Sequence, residues 1–264
     1  MQAKQVDILR KRKRDGVLFI LLLVAVTLIS MVITEYDVVK SFTSIQKAVV
    51  WSASNFYPDA KAMAKLPDIL LKLQETVLIS LASTTVAAVF AIILALMGSS
   101  TTRVNSALSL LSRAIASVFR NIPVVSWGMV LVIAFGQSSL TGYFALFFIS
   151  LGFLTRAFME TIDEVGESLV EALKATGAGY FHIVFQAVLP ASMPQIISWL
   201  LYNIETNIRN ATLVGILTGT GIGFSFDIYY KSLNYHAASL VVILIVITVL
   251  AIEYVSNYVR KVVL

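Results

Sequence analysis

The chain has 264 residues, 58% of them hydrophobic and only 13% charged, with a mean hydropathy of +0.85. A soluble domain carries about 25% charged residues, so half the usual material for a wetted surface is missing and lipid is the expected solvent. There is no cysteine, which excludes disulfides, thiol catalysis and thiolate metal sites, and the two histidines, His182 and His236, have no metal-ligand spacing.

The formal charge of +5 is concentrated in Lys4, Arg10, Lys11, Arg12, Lys13 and Arg14, directly before an apolar run. That is where the positive-inside rule puts charge, so the basic balance points to a membrane and not to nucleic acid. Residues 1–16 are expected to be a basic cytoplasmic amino terminus, and 17–34 a first transmembrane helix. The run Val17–Ile33 is longer than a signal-peptide core and continues into Thr34-Glu35-Tyr36 without a small-residue cleavage site, so it reads as uncleaved.

Residues 35–75 set five lysines against Glu35, Asp37, Asp59, Asp68 and Glu75. This balance suits an extracytoplasmic amphipathic segment with Trp51, Phe56 and Tyr57 at headgroup level; a plain soluble loop with a short helix fits equally well. A transmembrane domain is then expected over 76–258. Its first helix, Thr76–Gly98, carries small residues (Ser80, Ala82, Ser83, Thr84, Ala87 and Ala88) that permit close helix approach. Ser99–Arg113 reads as a polar turn. A third span from Ala114 to Phe135 contains Arg120-Asn121-Ile122-Pro123, where the proline removes a backbone bond and bends the helix. A fourth span covers Tyr143–Phe158.

Glu160–Pro190 breaks the membrane pattern. Glu160, Asp163, Glu164, Glu167 and Glu171 recur at three or four residues, along one side of a helix, opposite Leu169, Val170 and Leu173. Four spans from a cytoplasmic start bring this segment, 160–190, back to the cytoplasm. Gly177 can adopt positive φ and end the helix, while Pro190 is expected to stop a second short helix, Tyr180–Val188, at Leu189. A fifth span runs from about Met193 beyond Asn207, and Ala237–Val255 is the sixth. Residues 259–264, with Arg260 and Lys261, close the chain on the cytoplasmic side. The expected fold class is all-α, a polytopic membrane protein with about six transmembrane helices.

The series Glu171-Ala172-Leu173, three residues, Gly177, nine residues, Ala187, one residue, Leu189-Pro190 resembles the EAA signature of ABC-importer permeases. Leu173 and Ala187 depart from that pattern but remain apolar. Phe56-Tyr57-Pro58, Glu75-Thr76, Arg120-Asn121-Ile122-Pro123 and the run Glu205–Arg209, Ala211–Gly215 and Gly219–Gly223 are similar to the phosphonate-type branch, which more often has a denser glycine run than Thr218 and Thr220 allow. The resemblance covers about 56–224 and implies a type I ABC-importer permease fold with cytoplasmic coupling helices. It further implies a bacterial inner-membrane location, a homodimer of two permease copies, two ATP-binding subunits, an extracytoplasmic substrate-binding protein and a small phosphorus oxyanion as cargo. Glu171, Ala172, Leu173, Gly177, Leu189 and Pro190 are the coupling residues it implies. The chain has no G-x-x-x-x-G-K-[ST], so it is expected to carry no cofactor and perform no covalent chemistry, with ATP and Mg²⁺ on the partner ATPase.

Glu205 and Arg209 stand four residues apart, on one helical face, and each costs roughly 2.5–3.5 kcal/mol at a helix centre. They are expected to pair and either line the substrate path, with Asn207, Asn210 and Thr212 nearby, or fix helix packing. Arg120, beside Asn121 and Pro123, either snorkels to headgroups or helps handle an anion. Taken together, Arg120, Asn121, Pro123, Glu205, Asn207, Arg209 and Thr212 are the candidate translocation-path residues. Two other function classes compete. An ion-coupled secondary carrier would use Glu205 and need no ATPase; a membrane hydrolase would need a nucleophile–base set, for which no convincing histidine or G-x-S-x-G exists.

Overall fold

A computed structural model describes the backbone of Gln2–Val263, and side chains from Lys11 to Val262 except those of Glu167 and Ser168. All regular structure among the described residues is helical. The chain forms two units, 1–55 and 56–264.

The first unit holds α1 (Gln2–Ile33) and α2 (Val38–Asn55). The basic stretch and the apolar run share α1, so the expected boundary at residue 16 lies inside one helix. Its Lys11–Ile33 portion is long and apolar enough to cross a membrane, and its side chains are exposed. Asp37 starts α2 by accepting the Lys40 amide at 2.9 Å.

The second unit contains α3 (Ala60–Met63), α4 (Leu66–Gly98), α5 (Ser106–Asn121), α6 (Val124–Phe135), α7 (Ser139–Ala175), α8 (Tyr180–Ile183), a π-turn (Val184–Val188), α9 (Leu189–Thr218), α10 (Gly221–Lys231) and α11 (Tyr235–Val263). Parts of α4, α7, the α8–α9 run and α11 are each long and apolar enough to cross a membrane. The α5–α6 pair passes the same test jointly, with a bend of 92°.

Lipid supplies no hydrophobic force between helices, so close packing and hydrogen bonds must hold the bundle. On α4 a stripe of small residues recurs every three or four positions (Thr76, Ser80, Ser83, Thr84, Ala87, Ala88, Ala91 and Ala95), all buried. Ala82, expected among them, is exposed. The stripe meets a core of Leu151, Leu154, Phe158 and Ile162 from α7 and Ile196 from α9. His236 of α11 anchors the entry to the unit: its Nδ1 lies 2.7 Å from the Tyr57 carbonyl.

Several expected boundaries move. Helix α4 starts at Leu66 and not at Thr76, because Pro67 opens it and the charges of its first turns are satisfied, with Lys72 Nζ 2.9 Å from Glu75. The expected polar turn over Ser99–Arg113 ends at Asn105, which caps α5 by accepting the Leu108 amide at 2.8 Å. The third span is therefore not one bent helix from Ala114 but two helices meeting almost at right angles at Ile122-Pro123. The fourth span and the acidic segment are one 37-residue helix, α7. Nor does the short helix stop at Leu189. The Leu189 amide bonds to the Val184 carbonyl, five residues back, and the chain runs on into α9. That wider turn accommodates Pro190, which cannot donate and whose ring crowds an ordinary α-turn.

Candidate functional site

Helix α7 ends in a hydrogen-bonded turn. The Ala178 amide reaches the Leu173 carbonyl at 3.2 Å and the Gly177 amide the Lys174 carbonyl at 3.0 Å. This double closure requires a left-handed residue just past the helix, and Gly177 supplies it with φ +81°. The turn is braced from below by the α4–α5 connection. The Tyr180 hydroxyl donates to the Thr102 carbonyl at 2.9 Å. Asp163, one side of α7, accepts from the Ser99 hydroxyl at 2.5 Å and the Thr101 amide at 3.2 Å. Ile183, Val184 and Val188 are buried, and Leu173 and Ala178 pack against the same core.

The opposite surface is exposed. Phe181 is 73% and Phe185 59% accessible, their rings stacked 6.4 Å apart. Glu171, Ala172, Gly177, His182 and Pro190 are exposed as well, while Leu173 and Leu189 are half-buried. Thus four of the six residues of the EAA resemblance face outward and two turn toward the core. Phe181, Phe185 and the bracing residues Asp163, Tyr180 and Thr102 were not anticipated from the sequence. The signal that could have found the aromatic pair is an i, i+4 phenylalanine spacing in the segment read as a second short helix.

The polar residues of α9 separate into two groups. Arg209 Nη1 and Glu205 Oε1 form the expected ion pair at 2.9 Å, with Glu205 buried and Arg209 exposed. Asn207 is 1% exposed. Its Nδ2 lies 2.7 Å from Thr84 Oγ1 on α4 and 2.5 Å from Ser150 Oγ on α7, so this one amide joins three helices. Ser80 adds a second link from α4 to the Asn207 carbonyl at 3.3 Å. Thr212 is half-buried, its hydroxyl 3.4 Å from the Ile208 carbonyl within α9. Arg120, Asn121 and Pro123 are exposed at the α5–α6 bend, away from that cluster in the chain.

The glycine run after α9 serves close packing. Gly219 ends α9 at φ +68°, and the Ile222 amide donates to Thr76 Oγ1 on α4 at 2.8 Å. A Cβ on Gly223 would lie 1.9 Å from the Thr212 carbonyl oxygen. Backbone of α10 therefore rests directly on backbone of α9.

Residues 87–263 match the family described as binding-protein-dependent transport system inner membrane component. The chain belongs to that family. Among relatives of this inner membrane component, the phosphate-import permease protein PhnE of Mycolicibacterium smegmatis is 30% identical over 74% of this chain and 36% of its own length. The chain thus spans little more than a third of that relative. The phosphite transport system permease protein PtxC of Stutzerimonas stutzeri is 30% identical over 71% of this chain and 68% of its own length. Among solved structures, an inward-facing conformation of the MetNI methionine ABC transporter superposes with a TM-score of 0.68 at 20% identity, covering 78% of this chain and 99% of its own. An amino acid ABC transporter crystallised with histidines gives 0.66 at 16% identity, covering 77% and 98%. The inner membrane component has the type I ABC-transporter permease fold that the EAA resemblance implied, and its matched region takes in the whole braced turn.

Proposed function

We propose that this chain is the permease subunit of an ATP-driven importer, carrying a small phosphorus oxyanion such as phosphite or a phosphonate across a bacterial inner membrane. It pairs with a second copy of itself, docks two ATP-binding subunits at the α7–α8 turn and receives cargo from an extracytoplasmic binding protein. ATP and Mg²⁺ belong to the partner subunits, and both termini lie on the cytoplasmic side with that turn. On that orientation α1 carries the first crossing, the segment between α1 and α4 is extracytoplasmic, the bundle runs from α4 to α11, and residues 259–264 are a short cytoplasmic tail.

One observation carries the reading: an exposed aromatic pair, Phe181 and Phe185, just past a turn that is hydrogen-bonded to the bundle. An exposed apolar cluster of this kind is what a protein partner buries. A turn bonded to both α7 and the α4–α5 connection transmits a push to the helices instead of absorbing it. Glu171, Ala172, Gly177 and Pro190 form its outer surface, and Leu173 and Leu189 its attachment. The cargo class is supported by the names of the relatives, and the paired Glu205–Arg209, Asn207, Thr212 and the Arg120–Pro123 bend are the proposed path and its supports.

The test is reconstitution of the chain with its ATP-binding and binding-protein partners in sealed vesicles. Uptake of phosphite or methylphosphonate should require ATP and both partners. Uptake by the chain alone, driven by a proton or sodium gradient, would overturn the proposal and favour a secondary carrier.

A further inference from the structure

Between α5 and α7 lies a cleft of about 90 Å³, lined by Arg113, Ala116, Ser117, Arg120, Arg156 and Met159. We infer that it is a binding site for a tetrahedral phosphorus-oxyanion group, held by Arg113, Arg120 and Arg156.

Three arginines line one small volume, and the residues that line it include no carboxylate. Each arginine is differently committed. Arg113 gives only its Nε, to the Gly98 carbonyl at 2.9 Å. Arg156 gives its Nε to Glu160 at 2.6 Å. Arg120 has no hydrogen-bond or ion-pair partner among the described residues. The terminal nitrogens of all three are therefore available, and only Arg156 is paired with a carboxylate, that of Glu160. All three arginines are exposed, so their charge can be met by water or by an anion. Guanidinium forks match phosphate oxygens in pairs.

The geometry is held by backbone. A Cβ on Gly152 of α7 would lie 2.4 Å from the Arg120 nitrogen, so α5 and α7 touch at that level. The Arg120 backbone is thereby fixed beside α7, one turn before Arg156. Arg113 sits two turns earlier on α5, and Ser117 stands between with a hydroxyl. The cleft is well above the about 10–15 Å³ that a single water needs, so it has room for a small hydrated or anionic group.

Two sources share this chemistry. One is the cargo, a case that rests on the importer reading above; the other is the phosphodiester of an anionic lipid, since basic clefts between membrane helices recognise such headgroups. The site itself is common to both.

The experiment uses the full chain in nanodiscs of phosphatidylcholine, with Arg120→Gln/Arg156→Gln and the charge-keeping Arg120→Lys as variants, each checked for monodispersity and melting temperature. Binding of inorganic phosphate and methylphosphonate is titrated calorimetrically, and retained phosphatidylglycerol is counted by native mass spectrometry. Wild type should bind one phosphorus-oxyanion group; the double variant should bind at least about tenfold more weakly, and Arg120→Lys, which keeps the charge but loses the fork, should fall between the two. Saturation by inorganic phosphate or methylphosphonate assigns the site to cargo, and retention of phosphatidylglycerol alone assigns it to lipid. Absence of both in wild type, or equal binding by a folded double variant, overturns the inference. ATP-driven uptake by the full complex is scored separately. Loss of uptake with binding intact counts against the importer reading and leaves the site standing.

Discussion

Gly177 offers a graded perturbation at a single backbone position. Its φ of +81° lies where an L side chain is disfavoured, yet a Cβ there would meet nothing within 4 Å. The penalty of Gly177→Ala is therefore purely conformational, about 1 kcal/mol, which shifts the closed turn toward alternatives by about fivefold. Gly177→Asn should cost only a few tenths of that, because asparagine tolerates the left-handed region. Gly177→Pro is different in kind. It forces φ to about −65° and removes the amide that closes on the Lys174 carbonyl at 3.0 Å, for about 3 kcal/mol or more. Gly177 itself is exposed and touches no part of the core, so insertion and yield should be unchanged in all three. Measured as ATP-driven uptake per inserted molecule, the order should be Gly, Asn, Ala, then Pro with little activity left. Normal uptake by Gly177→Pro would refute the idea that this turn carries force into the bundle.

Phe181→Ala with Phe185→Ala should leave the melting temperature of the chain within about 0.5 kcal/mol equivalent, since both are exposed. Co-purification of the ATP-binding subunit should nevertheless weaken by about 2 kcal/mol, or roughly thirtyfold. Gly223→Ala should lower thermal stability by about 1–3 kcal/mol, because its Cβ would fall on the Thr212 carbonyl; an unchanged melting curve would mean that α9 and α10 are not in backbone contact. Asn207→Leu should cost about 1 kcal/mol in a detergent melting assay, and Ser150→Ala in that background should then add almost nothing, because the two share one hydrogen bond.

The membrane helices were legible because their lipid-facing surfaces are unbroken apolar runs. Where they began and ended was less so, and each case has its own cause. Leu66–Glu75 was assigned to the segment outside the membrane because Asp68, Lys72 and Glu75 crowd it, but Glu75 is satisfied by Lys72 and by the Ser139 hydroxyl at 2.7 Å, and that last partner lies 64 positions away in the chain. The acidic residues after Phe158 were read as the end of a span, although their three- and four-residue spacing continues the phase of α7 without a break. Pro190 was read as a stop because the local rule knows nothing of a turn that widens to receive it. Gly177 was placed correctly, since a positive φ after a helix is a local requirement. The aromatic pair at 181 and 185 escaped notice because the short helix over Tyr180–Val188 is apolar on several sides, and only the burial of Ile183, Val184 and Val188 shows which side faces out. Likewise the arginine cleft depends on α5 lying along α7, which the charge pattern of either helix alone does not contain.

The π-turn ahead of Pro190 has a bearing on how the chain tolerates insertions and deletions. It houses one residue more than an α-turn would, so removing any one of Val184–Val188 would restore ordinary helical winding. The segments on either side would keep their phase, because the turn absorbs the extra residue locally, but Pro190 would then face an ordinary α-turn whose carbonyl its ring crowds. A shortened chain would thus be strained at the proline, and a deletion there should be tolerated only together with replacement of Pro190.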